Sequence, residues 1–193
     1  MSAAAKTQVR MTVDEFLNWE PGDGFRWQLI DGEPRCMSPS SRTHGSIQAR
    51  LGQLIGNHLE AKGGACSVIA EPGVIPRLMS KYNMRIPDLA VTCTPYETEE
   101  AALADPVLVI EILSPSNHAD TWANVWAYTT VPSVQEILVV RTDKIGAELL
   151  RRMPGGTWPD RPEVLDGGEL TLESIGFEVP LPELYRTTRL ARR

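Results

Sequence analysis

The sequence predicts a single α/β domain in which a mixed β-sheet is flanked by helices. Three observations predict this fold class. Apolar residues recur at helical spacing over residues 44–61, as in a long helix with one buried face. Residues 107–113 are apolar on both faces apart from Glu111, which is typical of a strand covered on both sides. Helical and strand-like segments are interleaved along 193 residues, a length that suits one domain.

The elements follow from local signals along the chain. Thr12 and Glu15, three residues apart, predict a capping box at the start of a short helix that ends before Pro21. The Asp31-Gly32 pair between two apolar runs predicts a β-hairpin. The remaining predicted elements are the helix at 44–61, a hairpin of strands 66–70 and 73–77, strands at 86–92 and 107–113, a helix at 120–130, strands at 135–141 and 147–153, and a short irregular closing segment that reaches residue 185.

The chain divides into three parts. We expect a disordered N-terminus over residues 1–10, one domain over 11–186 and a basic C-terminal tail over 187–193. No apolar run approaches the roughly 20 residues that cross a bilayer, and the first residues contain no apolar signal segment. We therefore expect a cytoplasmic protein with no membrane partner.

Composition constrains the partners. The formal net charge of −6 disfavours a protein that coats nucleic acid through bulk charge. It still allows an enzyme that gathers acidic residues around a metal ion. Basic residues collect after residue 140, and they form either a solvated face with a tail or a strip that tracks DNA.

The three cysteines are far apart in the sequence. Cys36, Cys66 and Cys93 form neither a CxxC motif nor a cluster with histidine. A disulfide framework or a zinc site is therefore not expected. We interpret the three side chains as small buried hydrophobes.

Glu111 is the residue that most needs a partner. A carboxylate in a buried strand costs several kcal/mol unless it is paired, protonated or bound to a metal ion. A structural ion pair and a metal site both satisfy this requirement. Asp88 follows Pro87 at the entry of another apolar strand, where it is either a turn residue or a second ligand. If the two strands are neighbours, the carboxylates converge into an oxygen site that suits Mg²⁺ or Mn²⁺.

The Pro87-Asp88 pair followed by Glu111 resembles the PD-(D/E)XK nuclease superfamily. More closely, the chain resembles its Uma-type branch, a bacterial family described as putative restriction endonucleases and formerly as a domain of unknown function. The resemblance covers residues 11–186, and the ordered set of motifs is more specific than any one of them. The matching segments include MTVDEFL (11–17), WQLIDGE (27–33), PDLAV (87–91), VIEILSPS (109–116) and LPELY (181–185).

The resemblance implies a restriction-endonuclease-like fold and assigns roles to particular positions. Asp88 and Glu111 match the two carboxylates that bind Mg²⁺ or Mn²⁺. Gln28 occupies the position of a further acidic residue. Asn124, four residues after Asp120, occupies the position of a lysine, so two catalytic groups lose their charge.

Several other residues are candidates for the same site. Leu113 replaces the lysine that the wider superfamily places two residues after the glutamate. Arg85, Lys81 or Arg77 then becomes a candidate replacement cation, and we predict that Arg85 binds substrate. His44 either contacts the site or a phosphate, or begins its helix in a structural role. His118, in the loop after Glu111, is a weaker candidate for the metal.

Two functions are consistent with these residues. The first is a metal-dependent endonuclease that hydrolyses phosphodiester bonds of nucleic acid, with Asp88, Glu111, Gln28 and Asn124 as catalytic residues and DNA as the expected substrate. The second is an inactive module of the same fold that binds nucleic acid or a protein. A structural protein in which Glu111 is merely paired is a third alternative. Dimerisation is expected from the resemblance, and no nucleophile elbow or phosphate-binding glycine loop is present.

Overall fold

The computed structural model of the protein describes residues 10–96 and 101–192. They contain three α-helices and ten strands, joined by turns and short 3-10 segments. The helices are α1 (Val13–Leu17), α2 (Arg42–Lys62) and α3 (His118–Tyr128). The strands are β1 (Trp27–Ile30), β2 (Glu33–Cys36), β3 (Ser67–Ala70), β4 (Leu89–Thr92), β5 (Pro106–Leu113), β6 (Glu136–Arg141), β7 (Ala147–Arg151), β8 (Glu163–Leu165), β9 (Glu169–Leu172) and β10 (Phe177–Pro180).

The centre of the fold is a six-stranded mixed sheet in the order β3-β4-β5-β6-β7-β8. Its strand pairs are antiparallel except for β5 and β6, which are parallel. A parallel pair needs a crossover connection, and α3 provides it. The predicted mixed α/β sheet flanked by helices is confirmed.

The helix α2 covers one face of the sheet. Ser41 caps it, because its hydroxyl accepts a hydrogen bond from the backbone N–H of His44 at 3.2 Å. Ile47, Leu51 and Ile55 are fully buried and pack with the inward residues of β4 to β7 and with the closing segment. The predicted helix is confirmed.

The helix α3 covers the opposite face. Val109 and Leu113 of β5 pack there with Val125 and Tyr128 of the helix. Since side chains alternate along a strand, Glu111 projects to this same face. The strand β5 is therefore covered on both sides, as its sequence predicts.

The hairpin β1–β2 and the helix α1 form a smaller layer. Asp31 and Gly32 both have positive φ, 51° and 81°, as a two-residue hairpin turn requires. Leu29 exchanges two backbone hydrogen bonds with Met84, which fixes the hairpin beside the chain that enters β4. The capping box at Thr12 and the Asp31-Gly32 hairpin are both confirmed.

The predicted hairpin of strands 66–70 and 73–77 is wrong. The strand β3 pairs with β4 instead. Glu71, with φ of 55°, and Pro72 turn the chain out of the sheet, and Val74 then bridges Arg85 through two backbone hydrogen bonds of 2.8 Å. Local turn signals do not reveal which distant strand a segment will join.

The closing segment is more regular than its sequence predicts. Strands β9 and β10 form an antiparallel hairpin that packs in the α2 core, and β8 extends the central sheet at one edge. Thr188 is buried and Leu190 packs against that core, so packing continues beyond residue 186. Of residues 1–10, for which the sequence predicts disorder, residues 1–9 lie outside the described part of the chain. No described helix combines the length and apolar character that a membrane crossing needs.

The prediction of three small buried cysteines is wrong. Cys66 and Cys93 form a disulfide, and Cys36 is exposed. Ser67 of β3 lies opposite Thr92 of β4, so the next pair along this antiparallel ladder is residues 66 and 93. Cys66 and Cys93 are 27 residues apart in the sequence, so only the pairing of the two strands brings them together.

We expect reduction of the disulfide to lower the free energy of unfolding by about 3–4 kcal/mol, because the unfolded chain regains the freedom of the closed loop. The melting temperature should fall by about 10 °C, measured by circular dichroism with and without reductant. One thiol should react in the native oxidised protein and three after reduction. Cys36→Ser is the matched control, and three reactive thiols before reduction would contradict the assignment.

Candidate active site

A cavity of about 340 Å³ lies beside the entry of β4, between β5, α3 and the loop before α2. Its lining includes Gln28, His44, Asp88, Glu111 and Asn124. These residues come from β1, α2, the entry of β4, β5 and α3. The fold thus brings together five of the six residues to which the sequence assigns a catalytic or substrate-binding role. Arg85 is buried next to this group but is not part of the cavity lining.

The position of Asp88 follows from strand register. Leu89 lies opposite Ile110 in the antiparallel β4–β5 pair, and continuing that register by one residue puts Asp88 beside Glu111. Asp88 Oδ2 accepts a hydrogen bond of 2.6 Å from the backbone N–H of Ile112. Asp88 Oδ1 lies 2.7 Å from His44 Nε2. Both carboxylate oxygens therefore have fixed partners.

Glu111 is buried, with 7% of its surface exposed. The hydroxyl of Tyr128 donates a hydrogen bond of 2.9 Å to Glu111 Oε1. Burial and the negative charge of Asp88 raise the pKa of Glu111 well above its ordinary value, while Tyr128, Asn124 and Arg85 oppose this shift. Two neighbouring carboxylates in such surroundings favour a proton or a bound cation.

Arg85, Asn124 and Gln28 form a chain of hydrogen bonds along the α3 side of the cavity. Arg85 Nη1 donates to Asn124 Oδ1 at 3.0 Å, and Asn124 Nδ2 donates to Gln28 Oε1 at 3.4 Å. Arg85 Nη2 donates to Asn83 Oδ1 at 3.1 Å. Burial lowers the pKa of Arg85, and Tyr128, Asp31 and Glu111 counteract that shift.

Two polar contributors were not anticipated from the sequence. Gln48 Nε2 donates to the backbone oxygen of Asp88 at 3.0 Å, and Asn83 accepts from Arg85. Gln48 is four residues after His44 on α2, so helical spacing could have indicated it. Asn83 had no local signal, since its contacts to Asp31 join residues 52 positions apart.

The weaker candidates lie away from the cavity lining. His118 is exposed, with its ring centroid 6.4 Å from that of Trp122. Lys81 Nζ lies 5.6 Å from the ring centroid of Tyr82, and Arg77 is exposed. Asp120 lies at the cavity, one helical turn before Asn124.

The donor set fits a hard divalent cation in its chemistry. Asp88 and Glu111 offer carboxylate oxygens, and Gln28 offers an amide oxygen. In the described ranges, 10–96 and 101–192, no group of three or more His, Cys, Asp or Glu side chains is placed to hold a metal ion. Gln28 lines the cavity beside the two carboxylates and contributes a neutral amide there.

The same motifs connect the chain to known proteins. The model of the Uma2 family, described as "Putative restriction endonuclease", matches residues 13–182. The chain belongs to the Uma2 family. The match includes all the residues of the cavity that the sequence nominates, so the recognised resemblance is confirmed.

Two similar proteins accompany the family match. The chain is 29% identical over 182 residues to the uncharacterized protein slr1290 of Synechocystis sp., and the match covers 92% of each chain. It also resembles the crystal structure of a putative nuclease belonging to DUF820 from Anabaena variabilis, with a TM-score of 0.72 and 18% identity. That alignment covers 91% of this chain and 97% of the other, which confirms the nuclease-like fold.

We expect Glu111→Gln to stabilise the metal-free protein increasingly as the pH rises. The folded pKa of Glu111 lies above its unfolded value of 4.5, so its favourable contribution is complete below the unfolded value and is lost as the pH rises through the folded one. Gln keeps an oxygen that can accept from Tyr128 but carries no charge. Urea unfolding in a chelator across a pH series would measure the difference between the two proteins.

The matched control is Glu178→Gln, which removes an exposed carboxylate of β10 remote from the cavity. Its stability relative to the wild type should be nearly independent of pH. A constant difference between wild type and Glu111→Gln at all pH values would contradict the unfavourable burial of the Glu111 charge.

Proposed function

We propose that the protein is a metal-dependent nuclease that hydrolyses phosphodiester bonds of nucleic acid. The observation that carries the proposal is the meeting of Asp88 and Glu111 in one cavity, with Glu111 buried in the central strand. A structural ion pair explains Glu111 less well, since its hydrogen-bond partner there is the Tyr128 hydroxyl. Membership of the Uma2 family supports the same class of activity.

Asp88 and Glu111 would hold Mg²⁺ or Mn²⁺, and a backbone carbonyl near Ile112 would complete the protein ligands. When bound, such an ion activates water and stabilises the charge that develops on the phosphate. The hydrogen bond from Ile112 N–H and the contact with His44 hold the Asp88 carboxylate in one orientation. Tyr128 does the same for Glu111.

Gln28 and Asn124 would orient the attacking water or the scissile phosphate, because their amides face the same cavity. His44 would contribute to substrate binding, whereas Arg85, which the sequence nominated for the same role, is buried behind the cavity lining and would act through its neighbours. DNA is the expected substrate in a cytoplasmic setting, and a homodimer is the expected assembly. With a net charge of −6, affinity would depend on these local groups rather than on the overall charge.

An inactive binding module of the same fold is the second candidate. The observation in its favour is the neutral hydrogen bond between Gln28 and Asn124, at two positions where the family pattern has charged residues. Such a module would bind nucleic acid or a protein partner without cleaving it. Metal binding and cleavage distinguish the two candidates.

We expect wild-type protein to bind Mn²⁺ with micromolar to sub-millimolar affinity in calorimetry. Glu111→Gln should weaken this binding by more than about 100-fold, since loss of a direct ligand costs at least as much as loss of an outer partner. The same variant should slow nicking of supercoiled plasmid by about 10²–10³-fold.

Glu178→Gln is again the matched control, because it removes one carboxylate without touching the cavity. It should bind Mn²⁺ and nick plasmid at the wild-type level. Mn²⁺ binding without cleavage of duplex or single-stranded DNA or RNA would favour the inactive module. Equal Mn²⁺ affinity in wild type and Glu111→Gln would reject Glu111 as a ligand.

A further inference from the structure

Resting on the nuclease function proposed above, we propose that Arg85 supplies the positive charge that a lysine at position 124 would otherwise bring. Arg85 acts through Asn124 as a positioning residue and does not itself contact the substrate. In this view, one positive charge is required beside the two carboxylates. The chain places it on the segment before β4 instead of on α3.

Arg85 is buried, so its charge acts on the groups around the cavity rather than on solvent. Only 7% of its surface is exposed, and its backbone is held by two hydrogen bonds to Val74. Among the residues that the structure describes, its guanidinium forms no ion pair with a carboxylate. Its Nη atoms bond to the amide oxygens of Asn83 and Asn124, and its Nε has no hydrogen-bond partner there.

A buried guanidinium that is not neutralised by direct pairing stabilises negative charge nearby. The charges of Glu111 and Asp88 lie in the adjoining cavity, and Arg85 favours the ionised form of Glu111. The nucleic-acid phosphate adds a further negative charge to this cavity. Arg85 therefore lowers the electrostatic cost of bringing three negative groups together.

Arg85 also determines which way the Asn124 amide points. A guanidinium has only donors, so it can bond only to the oxygen of Asn124. The Asn124 NH₂ group must then face Gln28 and the cavity. Because the Asn124 oxygen accepts a hydrogen bond from a cation, the amide is polarised and its NH₂ group becomes a stronger donor. A neutral amide thereby presents polarised N–H groups at the position where the family pattern has an ammonium group.

The geometry would place an ammonium group at position 124 next to the Arg85 guanidinium. The Asn124 side chain bonds directly to that guanidinium, so a lysine there would meet a second cation, even with the Gln28 oxygen beside it as an acceptor. Asn124→Lys alone should therefore destabilise the protein. Asn124→Lys together with Arg85→Gln should remove the repulsion and keep one positive charge in the site.

The test is a double-mutant cycle with Arg85→Gln, Asn124→Lys and the double variant. Thermal unfolding, Mn²⁺ calorimetry and plasmid nicking in Mn²⁺ are measured on each protein. We expect the melting temperature of the double variant to fall less than the sum of the decreases that the two single variants show. This coupling reports the like-charge contact without relying on activity.

Metal binding and cleavage should respond to Arg85→Gln in opposite directions. Loss of the nearby positive charge should tighten Mn²⁺ binding about three- to tenfold. The same loss should lower kcat for nicking about 10–100-fold, with little change in KM. A purely structural defect would weaken both. The double variant should regain at least about tenfold of the lost kcat.

Arg152→Gln is the matched control. Arg152 is a half-buried arginine whose donors bond to the backbone carbonyls of Val134 and Val131, away from the cavity. Combined with Asn124→Lys, it should show additive stability effects. Its Mn²⁺ affinity should equal that of the wild type.

The outcomes separate this inference from the nuclease proposal. Additive melting temperatures across the cycle, or weaker Mn²⁺ binding in Arg85→Gln, would overturn the role of Arg85. If the changes in melting temperature are not additive but no variant cleaves nucleic acid, the result would support the role of Arg85 as the positive charge of the site and would reject the nuclease function. If Asn124→Lys fails to fold, folding of the double variant supports the inference, and failure of both overturns it.

Discussion

The antiparallel pairing of β4 with β5 is the constraint on which the site depends. It places Asp88, one residue before β4 begins, beside Glu111 in the middle of the central sheet. The hydrogen bond from Ile112 N–H to Asp88 Oδ2 is part of this junction, so a backbone group of one strand fixes a side chain of the other. The carboxylates therefore converge because of the sheet itself and do not rely on a flexible loop.

This arrangement has a cost in stability that the rest of the fold must offset. A buried carboxylate next to another one is unfavourable, and Tyr128, Asn124 and Arg85 only partly compensate for it. The buried apolar side chains on both faces of the sheet supply the opposing contribution. An unfavourable arrangement of charges in an otherwise well-packed interior is typical of functional sites.

The sequence predicted best those features that are encoded locally. Glu111 was identified as exceptional because it is the charged residue in an apolar strand, and helical spacing identified the buried face of α2. The Asp31-Gly32 turn likewise determines its hairpin within a few residues. Each of these signals lies within one element, where backbone periodicity links the sequence directly to burial.

Features created by distant pairing were missed or needed the family resemblance. Cys66 meets Cys93 only because β3 joins β4, a pairing that the turn signals at Glu71 obscured. Arg85 was named as a candidate cation, but its contact with Asn124 spans 39 residues and depends on how α3 lies on the sheet. The chemical roles assigned to Asp88, Glu111, Gln28 and Asn124 stay predictions, although the fold brings all four to one cavity.

The short connection from β5 to α3 has a consequence for how this site can change. A 3-10 turn over Pro115–Asn117 leads directly into the helix that carries both Asn124 and Tyr128. Each residue of an α-helix is rotated by about 100° from the last, so one residue inserted in this turn would swing both side chains away together. The site can therefore diversify by exchanging side chains in place, whereas a change in the length of this connection would dismantle it in a single step.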